Sequence, residues 1–224
     1  LAVRAKRAPV RPAEYLEPEQ VRLLLAQTDR RGSSGLRDHA LLLFLYNTGA
    51  RISEALGVTP ADLHLAAPRH VRLHGKGSKE RLTPLWAETA AALSRLISSA
   101  DAGAGPVFRN ARGAPLSRDG AAYVLAKYVA LASRALPALK RRKITPHVLR
   151  HSCAVALLQA GVDITVIRDY LGHASVATTG RYVSTNMKMK RDVLQSFWKR
   201  SGLERRAGGR WRPAPDVIAF LSSL

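Results

Sequence analysis

Four side chains within residues 145–182 carry the chemistry this chain can be expected to do: His147, Arg150, His173 and Tyr182. Together they supply two imidazoles, a guanidinium and a phenol, groups that transfer protons and bind anions. Thr145 reads as a helix N-cap and Pro146 as the first helical residue, with Val148, Leu149, Ala154, Val155, Leu157 and Leu158 forming an apolar stripe behind them. His147 and Arg150 then share one face of the first turn, where the unpaired backbone N–H groups also point, and a phosphate oxygen suits such a place. The helix closes near Gly161, and a second one over 164–171 runs from an Asp163 N-cap to Gly172. His173 follows that glycine directly. A short loop with Ser175 and Thr178 leads to Tyr182, and the basic residues 186–200 read as helix again.

Each of these side chains has an ordinary alternative. Arg150 reads equally as an exposed helix cation, His173 as a donor that steadies a loop, and Tyr182 as an amphipathic core residue. None of the four is an obvious core residue, and it is their combination that points to chemistry. His147 and His151 are also spaced as helical metal ligands, with Cys153 nearby, which would suit a metallohydrolase. Position 148 is Val where a zinc-protease helix carries Glu, and no second Cys or nearby acidic ligand completes a set, so no metal is expected.

The elements that must hold these groups are cut from a very basic chain. Its 224 residues include 36 Lys and Arg against 16 Asp and Glu, a formal charge of +20. That charge implies a polyanionic partner, most simply nucleic acid. It is not confined to the ends, since Arg69, Arg72, Lys76, Lys79, Arg81 and the run Lys140, Arg141, Arg142 and Lys143 are interior. Hydrophobic residues make up 46%, enough for a substantial core, yet the longest apolar run, residues 40–46, is far too short to span a bilayer. No signal peptide is visible. The single cysteine excludes an intramolecular disulfide framework and fits a reducing compartment, so a cytoplasmic location is expected.

In chain order, residues 1–13 are basic and proline-containing, begin without Met, and read as a linker from an upstream domain. A capped helix follows from Tyr15 with Glu17, Pro18 and Glu19 at its start, then a loop over 32–35, then a strongly apolar helix over 36–47 expected to be the most buried in the protein. Gly49 ends it. Arg51, Ile52, Ser53 and Glu54 open a short helix, placing Arg51 at a junction from which it can reach an anion. Taken alone, it reads equally as an exposed partner of Glu54. Residues 70–74 and 80–85 alternate as strands around Gly75, Lys76, Gly77, Ser78 and Lys79, a hairpin whose unhindered lysine can enter a DNA groove or give a proton to a leaving oxygen. Helices are expected over 86–97 and from Ser117 to about residue 135. The basic run 140–143 reads as a solvated or phosphate-contacting loop. Residues 201–224 contain Gly208, Gly209 and a short apolar helix at the end.

With these residues in order, the chain resembles the catalytic domain of the tyrosine recombinases, the family of phage integrases and Xer-type resolvases. The matching motifs are TGARISEAL around Arg51, GKGSKER around Lys76, HVLRH from His147, LGHAS around His173, and Tyr182 nine residues beyond that histidine. The resemblance covers residues 15 to about 198. It implies a mainly α fold with a small antiparallel β-sheet, with residues 14–200 as the catalytic domain and 201–224 as a tail docking in cis or trans. It also implies a phosphoryl-transfer mechanism. Tyr182 would attack a DNA phosphate to give a 3′-phosphotyrosyl enzyme and a free 5′-hydroxyl, and a second hydroxyl would reverse the step. Arg51 and Arg150 would clamp the nonbridging oxygens, His147 would assist proton removal, Lys76 would protonate the leaving oxygen and His173 would bond the phosphate. Glu54 would orient the site, while Lys79, Arg81 and residues 140–143 would meet double-stranded DNA. Two arginines supply the charge a metal would bring, so no cofactor is implied. The expected assembly is a homotetramer on paired DNA sites. Noncatalytic DNA binding on the same fold, and DNA relaxation of the type IB topoisomerase kind, are the alternatives.

Overall fold

One apolar helix forms the centre around which the other elements are laid. In the computed structural model, which describes residues 14–75, 80–98 and 105–172, α1 is Pro18–Ala26 and α2 is Ser33–Thr48. Every residue of α2 from Ala40 to Thr48 is buried, and residues 40–46 are apolar on every face, as a helix segment enclosed by other elements must be. It packs against α4 (Ala87–Ser98) and α6 (Pro146–Gln159), and Phe44 meets Phe108 with 5.7 Å between ring centres. The remaining α-helices among the described residues are α3 (Ile52–Gly57), α5 (Arg118–Ala132) and α7 (Ile164–Leu171).

Local chemistry places most of these boundaries. Pro18 opens α1, and Gln20 Oε1 accepts from the Glu17 N–H at 3.1 Å. The Thr145 side chain accepts from the Val148 N–H at the start of α6, and Asp163 accepts from the Thr165 N–H at 2.7 Å at the start of α7. Gly49 and Gly172 end α2 and α7 in left-handed conformations, with φ of 56° and 65°. The expected loop over 32–35 is mostly helix, because α2 starts at Ser33. A Cβ on Gly35 would sit 1.7 Å from the Asp29 carbonyl oxygen, so the glycine lets the preceding turn fold tightly onto the helix.

The sheet is antiparallel with order β1 (Leu63–His64), β2 (His70–His74), β3 (Glu80–Pro84). Val71 pairs with Thr83 and His74 with Glu80, so Val71, Leu73 and Thr83 face the core while Arg72 and His74 face out. The two-residue β1 is too short to show an alternation of its own. The fold is thus mainly α with a small antiparallel sheet, as expected. Among the described residues, no helix is long and apolar enough to cross a membrane.

The basic run before α6 is more ordered than a loop. Pro137–Arg141 form a 3-10 helix on which Lys140 and Arg141 are exposed, and Lys143 is exposed just beyond. Arg142 turns inward instead, donating to the Tyr15 carbonyl and, at 3.2 Å, to Gln20 Oε1. It ties the start of α1 to the chain entering α6.

Candidate active site

Three guanidiniums from three different elements meet the last carbonyls of α7. Arg81, on β3, donates Nε to the Tyr170 carbonyl at 3.1 Å. Arg150, on α6, donates Nη2 to the Leu171 carbonyl at 2.7 Å and Nη1 to the Gly49 carbonyl. Arg51, the N-cap of α3, donates Nη2 to the Gly172 carbonyl at 3.3 Å. The end of a helix leaves carbonyls without intrahelical partners and carries partial negative charge, so it is a favourable anchor for cations. Three successive carbonyls are each taken by a different arginine.

Glu54 joins two of these arginines. Its Oε1 accepts from Arg51 Nη1 at 2.8 Å, and its Oε2 accepts from Arg81 Nη2 at 2.8 Å and from the Arg51 backbone N–H at 2.8 Å. The carboxylate therefore caps α3 and pairs with two guanidiniums at once. Burial alone would raise its pKa, but the bonds from Arg81 and Arg51 outweigh that and hold it at about 2, against an ordinary 4.5. The sequence reading of Arg51 and Glu54 as an exposed pair holds for half of it: the Arg51 side chain is 45% exposed and that of Glu54 only 3%.

Arg150 departs most from its reading as a surface side chain. It is 2% exposed, and its planar group is fixed by the two backbone carbonyls. The glycine at 49 makes this possible, since a Cβ there would lie 2.4 Å from Leu171 Cδ2 and 3.3 Å from Cys153 Sγ. His147 remains exposed in the first turn of α6. Partial desolvation of its ring, together with the charges of Arg150 and Arg51, pushes its pKa below the ordinary value, so the neutral imidazole is favoured. A neutral ring beside two permanent cations can accept a proton, and the cations can hold an anion.

Lys76, Lys79, His173 and Tyr182, and with them residues 1–13 and 201–224, fall outside the described residues. Of the side chains expected to meet DNA, Lys140, Arg141 and Lys143 are exposed, whereas Arg81 and Arg142 are engaged inside the chain. The metal alternative finds little support in the donors themselves. The His147 and His151 rings meet edge to face with 4.2 Å between centres, and no group of three candidate ligands occurs among the described residues. Burial pushes the Cys153 thiol up to about 12, and it faces the Asn47 carbonyl at 3.6 Å.

Two residues that support the site, Tyr170 and Asn47, leave little mark in the sequence. Tyr170 donates its hydroxyl to the Asn47 carbonyl at 2.6 Å, and Asn47 Oδ1 accepts from the Trp86 N–H at 2.9 Å. They lock the end of α2, the chain leaving β3 and α7 together. An asparagine closing an apolar helix is the only hint, since a buried amide needs partners from outside its own helix.

Comparison with known proteins identifies the family. The sequence profile of the phage integrase family matches residues 14–189. A putative integrase/recombinase, y4rC, of Sinorhizobium fredii is 41% identical over 225 residues, covering 100% of this chain and 67% of that protein. The tyrosine recombinase XerD of Chlorobaculum tepidum is 35% identical over 197 residues, covering 84% of this chain and 62% of that protein. The chain thus spans about two thirds or less of the length of these relatives. Among solved structures, XerA recombinase superposes with a TM-score of 0.70 at 26% identity, covering 87% of this chain and 66% of that one. The XerH site-specific recombinase in a post-cleavage complex with its difH substrate shares the fold, with a TM-score of 0.71 at 24% identity over 87% of this chain and 56% of that one. With that profile over residues 14–189 and relatives at 35–41% identity, the chain belongs to the phage integrase family, the tyrosine recombinases.

Proposed function

We propose that the protein is a site-specific DNA recombinase that cuts and rejoins strands through a 3′-phosphotyrosyl intermediate, serving integration or excision of a mobile element. The observation that carries the reading is the convergence of Arg51, Arg150 and His147, two permanent cations and a neutral imidazole, in a chain whose sequence continues to His173 and Tyr182. Tyr182 attacks the scissile phosphorus, its proton passing toward His147, whose neutral ring accepts one. The P–O5′ bond breaks and Lys76 gives a proton to the leaving oxygen. Arg51 and Arg150 meet the nonbridging oxygens as charge builds there, and His173 bonds the same phosphate. The phosphodiester energy is kept in the tyrosyl ester, so a 5′-hydroxyl from another strand reverses the step. The permanent charge of the arginines suits a developing anion at any physiological pH.

Glu54 keeps Arg51 oriented in this scheme. Lys140, Arg141 and Lys143 meet the duplex backbone, and the net charge of +20 makes binding steeply dependent on salt. The partner is double-stranded DNA, and the assembly is a homotetramer on two paired sites.

The experiment that tests the reading uses two copies of the bound site on one plasmid, the site being selected from random-sequence duplexes by the protein itself. The proposal expects a recombinant joint of defined sequence, formed in the presence of EDTA. Relaxed plasmid without joints would instead favour strand rotation of the topoisomerase kind. Binding with neither product would favour a noncatalytic DNA-binding protein.

A further inference from the structure

We propose that Arg81 is a positioning residue for strand transfer: it pins the C-terminal end of α7 to the Arg51–Glu54 pair and so fixes the frame from which the chain leaves Gly172. The proposal rests on the strand-transfer reading above. Its sequence position, beside a hairpin lysine in a basic motif, suggests a DNA contact, but the geometry assigns it elsewhere. The Arg81 side chain is 13% exposed, with Nη2 on Glu54 Oε2 at 2.8 Å and Nε on the Tyr170 carbonyl at 3.1 Å.

A third contact makes the fit specific. A Cβ on Gly172 would fall 3.0 Å from Arg81 Nη1 and 3.3 Å from its Cδ, so the arginine lies against the bare backbone of that glycine. One planar group therefore touches α3 through Glu54, α7 through Tyr170, and the turn that ends α7. Arg51 bonds the Gly172 carbonyl at 3.3 Å, one residue before His173 in the sequence.

The two arginines at Glu54 have different duties. Arg51 must serve both the protein and the phosphate, and its side chain is 45% exposed. The contacts of Arg81 to Glu54, Tyr170 and Gly172 are all internal, so it can keep Glu54 charged and α7 in place while Arg51 turns to DNA. The fork of a guanidinium matches this task, since it reaches a carboxylate and a carbonyl from different nitrogens; a lysine has a single nitrogen for both. Displacing a reacting group by about 1 Å costs on the order of a hundredfold in rate, so a loosened α7 registers in catalysis before it registers in DNA binding.

The test compares Arg81→Met, which keeps the stem and removes the fork, with Arg81→Lys and with the double variant Arg81→Met/Glu54→Gln. The double variant removes the buried charge that the single change leaves under-compensated, which guards against simple unfolding. Two quantities are read on the full chain: amide hydrogen exchange across α7 without DNA, and the rate of covalent adduct formation on a nicked duplex at saturating concentration, with Kd measured alongside. Both Met variants are expected to raise exchange in the last turn of α7 by about tenfold or more while leaving α5 unchanged. Adduct formation slows by about tenfold to a hundredfold with Kd changed by less than about threefold, and Arg81→Lys falls between. Unchanged exchange in α7 overturns the proposal, as does a loss in rate fully matched by a loss in binding, which would make Arg81 a DNA contact. Should the wild type form no adduct, it is the strand-transfer reading that fails, and exchange still decides whether Arg81 holds α7.

Discussion

At the C-terminal end of α7, Glu54, Arg81 and Arg150 are largely buried, Arg51 is half-exposed, and the arginines are matched to backbone carbonyls. At the root of the β2–β3 hairpin, which leads to Lys76, the charged groups are exposed except for Asp62 and are matched to one another. There His74 places Nε2 2.8 Å from Asp62 Oδ1 and Nδ1 3.0 Å from Glu80 Oε1, with its side chain 51% exposed. Arg72 lies 3.9 Å from the same Glu80. The first cluster is held by permanent cations in a poorly hydrated setting, so its geometry changes little with pH or salt over the ordinary range. The second is held by a titratable ring in water and is worth far less. The arginines at the end of α7 are held by fixed backbone partners, while the strands leading to Lys76 are joined at the root by a pair that titrates.

The largest effect should come from opening the buried cluster. Glu54→Ala leaves Arg81 without its carboxylate, at 13% side-chain exposure, and removes the cap of α3. A loss of about 3–5 kcal/mol in unfolding free energy is expected from breaking a buried pair, measured by denaturant titration. A loss below about 1 kcal/mol would place this cluster with the surface pairs and erase the contrast with the hairpin root.

Gly49→Ala should be next. It adds left-handed strain at φ 56° and drives a Cβ to 2.4 Å from Leu171 Cδ2, behind the carbonyls that hold Arg150. About 2–4 kcal/mol is expected from strain and overpacking combined. Thermal melting of the variant checks it, and an unchanged Tm would mean that α2 and α7 are not closely packed there.

Acid sharpens the comparison through Glu54. Its folded pKa of about 2 lies below the ordinary 4.5, so its contribution is fully present above pH 4.5 and is lost as pH falls toward 2. Glu54→Gln should flatten the acid limb of the stability curve over that window. His74 works in the opposite direction. The bond from Asp62, aided by Glu80, raises its pKa above the ordinary 6.5, so its contribution is full below that value and fades as pH rises through the raised one. Being largely exposed, it should contribute under about 1 kcal/mol, the smallest effect here. NMR titration of His74 is the direct check, and a pKa at or below 6.5 would dismiss its pairing with Asp62 and Glu80.

How much of this was legible beforehand follows from where each residue finds its partners. The start of α6 and both ends of α7 are readable in the sequence because Thr145 and Asp163 bond the first turns they cap, Pro146 suits a first helical position and Gly172 takes the left-handed turn. The early start of α2 is not, because Gly35 fits against the carbonyl of Asp29 rather than against its own helix. Arg150 reads as a surface cation until the carbonyls of Gly49 and Leu171, far away or across a turn, are brought to it. Arg81 reads as a DNA contact for the same reason, since its Tyr170 partner is 89 positions distant and a backbone carbonyl leaves no mark on residue type. The motifs group Arg51, Glu54, Arg81 and Arg150, which the structure brings to one helix end, but they carry no sign that Arg81 and Arg150 are held by backbone carbonyls inside the chain.

The central claim, covalent strand transfer by Tyr182, is tested most directly by trapping. The full chain is incubated in EDTA with a nicked duplex carrying its selected site, so that the short cleaved strand diffuses away and religation is blocked. The account predicts a covalent protein–DNA band that persists in chelator and disappears in Tyr182→Phe. Specific binding with no such band for the wild type, or a band of equal strength in Tyr182→Phe, would contradict it.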